Sequence, residues 1–109
     1  MTIQEALNQL TLHLPKIYGN TMKSMILYGS TARGTREDDS DVDVALILRS
    51  DATKEMYDQM LDFVVDLELS CGKVLSVLRI DADRFELWKD VLPFYQNIRK
   101  EGVVLWQAA

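Results

Sequence analysis

Residues 26–48 read ILYGSTARGTREDDSDVDVALIL, and the central strands of the fold can be predicted from them. Two apolar runs flank a polar segment that contains Gly29-Ser30 near its start and Asp41-Val-Asp43 near its end. Short apolar runs rich in β-branched residues are typical of strands. The pattern therefore predicts a strand on each side of the polar segment. The second run is apolar without a break, which favours a central strand covered on both faces.

The two aspartates open the second predicted strand. Alternate residues of a strand project to the same face, so the carboxylates of Asp41 and Asp43 are expected side by side. Like charges at this distance repel each other, and three more acids lie just upstream, Glu37, Asp38 and Asp39. A hard divalent cation such as Mg²⁺, bound through carboxylate oxygens, would balance the charge. The alternative is a solvated start of a strand.

Gly29-Ser30 follows the first predicted strand directly. Serine is a favoured N-cap of a helix, and glycine lets the backbone approach a ligand closely. Free N–H groups at a helix start attract anions, phosphate above all. Arg33, or failing that Arg36, could add a charge-assisted contact. Ser30 could also be an N-cap alone, but the joint spacing of both motifs favours a site for phosphoryl or nucleotidyl transfer.

The two motifs together resemble a known family signature. The signature of the polymerase-beta-type nucleotidyltransferase superfamily is similar to the pattern found here, which is Gly29-Ser30 followed after ten residues by Asp41-Val-Asp43. The fuller runs GSTARG (29–34) and SDVDVAL (40–46) resemble its minimal nucleotidyltransferase (MNT) branch. Many such domains are encoded beside a HEPN-domain protein and act as antitoxins. The resemblance covers most of the chain and implies an α/β nucleotidyltransferase fold, a small mixed β-sheet of three to four strands with helices packed against it.

The resemblance also implies a reaction. A protein of this type would transfer AMP from Mg-ATP to a protein acceptor, typically a tyrosine hydroxyl of a HEPN toxin. Asp41 and Asp43 would be the catalytic and magnesium-binding residues. Gly29 and Ser30 would bind the β- and γ-phosphates of the nucleotide, and Arg33 would steady their charge. Transfer to a small molecule such as an aminoglycoside is disfavoured, because those enzymes usually need a second domain.

The third predicted strand, 73–80, departs from the superfamily pattern. Catalytically complete members usually carry a third carboxylate on this strand, facing the aspartate pair. Leu75 or Ser76 stands near that position here, and Asp81 comes only at the end of the strand. A two-metal site normally draws on several carboxylates, so one metal arriving with the nucleotide is expected. The departure favours an alternative, a non-catalytic nucleotide-binding antitoxin that neutralises its toxin by complex formation.

The spacing of apolar residues and the positions of capping and helix-breaking residues predict the remaining elements. Apolar residues at helical spacing predict helices over 2–18 and 53–69, and Thr2 with Glu5 predicts a capping box for the first. The same signals predict four further elements: a first strand over 23–28, a short helix over 81–89, a helix over 93–101 and a last strand over 103–106. Aromatic residues gather late in the chain and are interpreted as a second packing cluster rather than a partner surface: Phe85, Trp88, Phe94, Tyr95 and Trp106.

Composition limits the classes of function. The chain has 109 residues, which favours one domain over 1–109. Twelve basic and 17 acidic residues give a net charge of −5, which argues against a nucleic-acid template, because phosphate backbones require clustered Lys and Arg. No run of 18 apolar residues predicts a membrane span. A single cysteine, Cys71, fits a reducing cytoplasm. The sequence leaves a homo- or hetero-oligomer open.

Overall fold

The computed structural model describes residues 1–35 and 40–109. The elements alternate between helix and strand along most of the described chain, with a short 3₁₀ turn after the first helix. In chain order they are α1 (Ile3–Tyr18), the 3₁₀ turn (Gly19–Thr21), β1 (Met22–Tyr28), α2 (Gly29–Arg33), β2 (Val42–Leu48), α3 (Lys54–Cys71), β3 (Leu75–Asp81), α4 (Ala82–Trp88), α5 (Pro93–Glu101) and β4 (Val103–Gln107).

The described strands form one four-stranded mixed sheet in the order β3-β2-β1-β4. β1 is antiparallel to both of its neighbours, β2 and β4, whereas β2 and β3 are parallel. β2 is buried along almost its whole length, as its unbroken apolar run predicts. The α/β fold with a small mixed sheet is therefore confirmed, at the upper end of the expected number of strands.

Helices cover both faces of the sheet, and β2 shows how its residues divide between them. Val42, Val44 and Leu46 pack on one face with buried residues of α1 and α3. Ala45 and Ile47 point to the other face, where they pack with Ile80 and with residues of α4 and α5. Asp43 alternates with Val42 and Val44, so it belongs to the face of α4 and α5.

The long helices begin and end where the sequence indicates. Thr2 caps α1, and its hydroxyl accepts from the Glu5 N–H while the Glu5 carboxylate accepts from the Thr2 N–H, at 3.1 Å each. This capping box satisfies two of the free donors of the first turn. Thr53 caps α3 in the same way, accepting from the Met56 N–H at 3.2 Å. Gly72 caps the end of α3 in a left-handed conformation, as Cys71-Gly72 indicates, and the last helical residue is Cys71 rather than 69.

The C-terminal third returns the chain to the sheet. Pro93 begins α5 at a position where its missing N–H costs nothing. Ile98 anchors this helix against the sheet and is 1% exposed. β4 then pairs with β1. The predicted aromatic packing cluster is correct for Phe85 and Tyr95, which pack on the face of α4 and α5. It is wrong for Trp106, which packs on the opposite face.

Candidate active site

The site residues meet where β1 ends and β2 begins. These strands are antiparallel, so the last residue of β1, Tyr28, pairs with Asp43 near the start of β2. Gly29 follows Tyr28 and lies against Asp43. The two motifs are far apart in sequence but adjacent in space because of this register. Asp41 lies just before β2 and is exposed.

The Gly29 backbone approaches the Asp43 carboxylate closely. Gly29 has a φ of 72°, a conformation that side-chain-bearing residues rarely adopt. A Cβ atom built on Gly29 would lie 2.4 Å from Oδ2 of Asp43. Both the positive φ and the lack of room for a Cβ atom therefore require glycine here. As a result, the Gly29 backbone lies directly beside the Asp43 carboxylate.

The charges around Asp43 make its ionised form costly. Burial, and then the neighbouring Asp41 carboxylate, raise the pKa of Asp43, and Arg33 partly opposes them. Burial, and then the charge of Asp43, raise the pKa of the Tyr28 phenol. Asp43 thus lies close to a second carboxylate and within reach of the Arg33 charge, an arrangement common at functional sites.

Ser30 does not cap the helix that follows. The N-cap of α2 is Tyr28, no side chain of the described residues makes a cap hydrogen bond there, and Ser30 lies inside the helix. The prediction of Ser30 as N-cap is wrong because α2 begins one residue earlier, at Gly29, whose positive φ turns the chain directly out of the strand. The hydroxyl of Thr31, in the next position, is buried and has no hydrogen-bond partner among the described residues.

Arg33, at the end of α2, connects this helix to α5. Its Nη1 lies 3.4 Å from Oε2 of Glu101, and both side chains are about half exposed. Its charge also reaches Asp43. Arg33 is therefore a half-exposed cation near Asp43, held by an exposed ion pair that is weak enough to exchange. The alternative cation, Arg36, and the acids Glu37, Asp38 and Asp39 lie outside the described residues.

β3 supplies no acid beside Asp43. Ser76 pairs with Asp43 in the parallel register, and parallel partners project to the same face. The sequence left Leu75 and Ser76 as candidates for the position of the third carboxylate. Ser76 is the one that lies beside Asp43, whereas Leu75 packs on the opposite face. Asp81 pairs with Leu48 at the far end of β3 and caps α4 through the Arg84 N–H at 2.9 Å. No cluster of three His, Cys, Asp or Glu residues that could hold a metal occurs within 1–35 and 40–109.

A pocket of about 190 Å³ borders the aspartate site. It lies between α2 and α5, with Tyr28 and Gly29 forming the wall nearest to Asp43. Sequence reasoning missed this pocket, because its lining comes from residues about 70 positions apart that only the packing of α5 on β1 brings together. Larger cavities of about 320, 330 and 540 Å³ surround Arg49 at the opposite end of the sheet, away from both motifs.

Comparison with known proteins identifies the class that this fold and these motifs define. The polymerase beta nucleotidyltransferase family matches residues 15–109, and the chain belongs to this family. A relative from Methanocaldococcus jannaschii, whose name describes it provisionally as a protein adenylyltransferase, is 27% identical over 106 residues. That match covers 97% of this chain and 100% of the relative.

Two solved structures share the fold. One is a crystal structure of a mutant of the toxin–antitoxin pair MntA–HpeT, with a TM-score of 0.62 and 15% identity. The other is a crystal structure of a toxin–antitoxin with AMP-PNP, with a TM-score of 0.60 and 17% identity. Each match covers 94% of this chain and 73% of the other. At these identities the likeness establishes the nucleotidyltransferase fold.

Crossing a bilayer takes a long and predominantly apolar helix. Within the part of the chain that the structure describes, no helix has both the length and the apolar character needed to cross one.

Proposed function

We propose that this protein transfers AMP from Mg-ATP to a side-chain hydroxyl of a partner protein and acts as the antitoxin of a HEPN toxin. The observation that carries the proposal is the contact between Gly29 and Asp43. At this contact a backbone turn lies beside a carboxylate whose pKa is raised by burial and by Asp41. In a metal–nucleotide complex, a phosphate group could bind the backbone turn at Gly29 and the metal cation could bind the Asp43 carboxylate.

The residues present fit a magnesium ion that arrives with its nucleotide. Asp41 and Asp43 supply hard oxygen ligands, which Mg²⁺ prefers, and Mg²⁺ commonly binds through one or two carboxylates together with substrate phosphates. When bound, the ion would neutralise phosphate charge and polarise the α-phosphoryl group. The absence of a side chain at Gly29 leaves room for the Asp43 carboxylate beside the backbone turn.

The other motif residues would act on the phosphates. The N–H groups at Gly29 and Ser30 would bind the β- and γ-phosphates, and the guanidinium of Arg33 would exchange Glu101 for a phosphate oxygen. A hydrogen bond between charged groups contributes about 1.5–3 kcal/mol, whereas an exposed ion pair contributes about 0–1 kcal/mol. Because the exposed pair with Glu101 is worth so little, Arg33 can turn to a phosphate at small cost.

The chemical step is an in-line displacement. The acceptor hydroxyl oxygen forms a bond to the α-phosphorus, the bond from that phosphorus to the bridging oxygen breaks, and pyrophosphate leaves with both electrons of that bond. The hydroxyl proton passes to solvent. Positioning and charge neutralisation supply most of the rate, because the described residues place no histidine at the site: His13, the only one in the sequence, packs against Phe63 on the face of α1 and α3.

The choice of a protein acceptor and a toxin partner rests on relatives. The Methanocaldococcus jannaschii relative is named for protein adenylyl transfer, and both structural neighbours are toxin–antitoxin complexes, one of them with AMP-PNP. We extend these properties to this chain. From the sequence itself we also propose a cytoplasmic location, because the single cysteine fits a reducing compartment, and one nucleotidyltransferase domain over 1–109.

A second function is favoured by Ser76. This residue occupies the place beside Asp43 where complete members of the superfamily usually carry a third acid, and a weaker hold on metal would slow transfer. The alternative protein binds nucleotide without transferring it and neutralises its toxin by forming a complex.

Label transfer distinguishes the two functions. The protein is incubated with ATP labelled at the α-phosphate, Mg²⁺ and the product of a neighbouring HEPN gene. If the protein is an enzyme, the partner should become covalently labelled. Asp43→Asn should abolish this label. Asp62→Asn, the same change on the exposed surface of α3, should retain it. A stable complex without label would overturn the transferase and favour the binding protein. Label that persists in Asp43→Asn would show that transfer does not depend on this aspartate and would overturn the proposed site.

A further inference from the structure

The pocket between α2 and α5 has a composition unlike that of the aspartate site. Its floor is Ile98, buried at 1% exposure, and its walls carry two aromatic rings, Tyr28 and Phe94. The ring centroids lie 5.7 Å apart at an interplanar angle of 80°. Phe94 also packs against Tyr95, with ring centroids 6.1 Å apart. The residue is still 45% exposed, so part of it is open to a ligand.

The size of the pocket limits its occupant. Drug-sized ligands occupy pockets of about 300–1,000 Å³, so 190 Å³ suits one ring system of a larger ligand rather than a whole nucleotide. Gly29 and Arg33 line the pocket and also border Asp43. A ligand with its ring in the pocket would continue directly towards the aspartates.

Polar groups stand at the rim. Asn97 and Glu101 line the side of α5, and the Asn97 amide makes no hydrogen bond within the described part of the chain. A carboxamide can donate and accept at once, which matches the paired amine and ring nitrogen of adenine. Aromatic faces stack on nucleobases irrespective of sequence.

We propose that this pocket is the nucleobase subsite and that it takes adenine, stacked on Phe94 and hydrogen-bonded by Asn97. The inference rests on the proposed function, because it places the base of the same nucleotide whose phosphates bind beside Asp43. It assigns base recognition to α5, a helix outside both sequence motifs.

The test compares two ligands that share the phosphates but not the base. Mg-ATP and Mg-tripolyphosphate are titrated calorimetrically into the full chain and its variants. We expect Phe94→Ala to weaken ATP binding on the order of tenfold, the usual effect of losing one base–aromatic stack, and to leave tripolyphosphate binding unchanged. Phe94→Tyr should restore the affinity for ATP. Trp88→Ala, which removes an aromatic residue of 40% exposure outside the pocket, should change neither ligand.

Base identity is tested with the same assay. The wild-type protein should bind ATP more tightly than CTP and GTP, and Asn97→Ala should reduce that difference. Equal weakening of ATP and tripolyphosphate by Phe94→Ala, or equal affinity for ATP and CTP, would overturn the subsite while leaving the phosphate and metal site intact. If neither Mg-ATP nor Mg-tripolyphosphate binds the wild-type protein, the proposed function fails and the subsite with it.

Discussion

Gly29 combines two requirements that can be separated by mutation. Its φ of 72° disfavours any side chain, and its neighbour Asp43 leaves no room for one. Gly34 has a similar φ of 75°, but no atom of the described residues lies within 4 Å of the position that its Cβ would occupy. The two glycines are therefore a matched pair: the same backbone strain, with and without contact to Asp43.

We expect Gly34→Ala to lower the free energy of unfolding by about 1–2 kcal/mol, from the left-handed backbone alone. Gly29→Ala should cost at least as much, because its methyl group also meets the Asp43 side chain. Only Gly29→Ala should lose Mg-ATP binding, because the added methyl group displaces the Asp43 carboxylate. Urea denaturation and calorimetric titration of both variants check this. Retention of Mg-ATP binding by Gly29→Ala would show that the close approach has no functional role.

The raised pKa of Asp43 predicts a pH-dependent stability without metal. The folded protein holds this proton to a higher pH than the unfolded chain, whose Asp pKa is about 3.9. Between that value and the raised folded pKa the native state binds more protons, so the contribution of Asp43 to stability falls as pH rises. Asp43→Asn removes this contribution.

We therefore expect Asp43→Asn to gain stability relative to wild type as pH increases from about 4 towards 7, in metal-free buffer. Urea denaturation at several pH values, with a chelator present, measures the difference between the two proteins. Saturating Mg-ATP should reverse the order, because only the wild-type protein is stabilised by ligand binding. A difference that moves the other way with pH would mean that Asp43 is stabilised as an anion.

For individual residues, the candidate site could be predicted from Gly29-Ser30 and Asp41-Val-Asp43, because the sequence directly shows their residue types and spacing. Sequence reasoning did not foresee the Gly29–Asp43 contact or the Arg33–Glu101 pair. The first depends on the antiparallel register of β1 and β2, and the second on the packing of α2 against α5. The N-cap role of Ser30 was wrong, since one residue of shift at a helix start cannot be read from propensity.

Among the elements, β3 offers the clearest test of incomplete catalysis. Ser76 lies beside Asp43 in a parallel register, so Ser76→Asp would add a third carboxylate to the pair. We expect it to lower the Mg²⁺ concentration needed for half-maximal ATP binding by about tenfold, the effect typical of a gained or lost metal-site contact, and to raise any transfer rate. Without metal the added like charge should destabilise the fold.

Leu78→Asp is the control for that variant. Leu78 is on the same face of β3, two residues further along and beside Ala45, and it is 37% exposed. It adds the same charge away from the aspartates and should leave the Mg²⁺ requirement unchanged. If both variants shift the requirement equally, general electrostatics rather than ligation would be responsible.

The ion pair between α2 and α5 predicts opposite effects of its two partners. Because the pair is exposed, Glu101→Gln should change the free energy of unfolding by less than about 1 kcal/mol. It should also tighten ATP binding, since it removes a negative charge and releases Arg33. Arg33→Gln should weaken ATP binding by about tenfold or more. Titration of both variants checks the signs, and a loss of affinity in Glu101→Gln would show that the intact pair is needed.

The elements themselves were largely predictable. Apolar periodicity and caps located α1, α3 and the four strands to within about two residues, the usual uncertainty at element ends. The strand order and the mixed directions follow from how the helices pack, which no local pattern states. The predicted packing of the late aromatics was correct for Phe85 and Tyr95 and wrong for Trp106. Proximity in sequence does not show which face of a sheet each aromatic residue joins.

For the whole molecule, the charge balance argues against a role that the superfamily's polymerases could suggest. With 12 basic and 17 acidic residues, we expect duplex DNA to bind no more tightly than about 10⁻⁴ M at physiological salt, the weak end of non-specific binding. Fluorescence anisotropy with a labelled duplex measures this. Tighter, salt-dependent binding would point to a nucleic-acid substrate instead of a protein acceptor.

The measurement that tests the metal–nucleotide site most directly is a calorimetric titration of Mg-ATP into the wild-type protein, Asp43→Asn and Asp62→Asn. The site formed by Gly29, Asp41 and Asp43 predicts Mg²⁺-dependent binding by the wild-type protein and Asp62→Asn, and its loss in Asp43→Asn with the fold intact. Equal binding by all three proteins, or binding that does not need Mg²⁺, would contradict it and place the nucleotide elsewhere on the molecule.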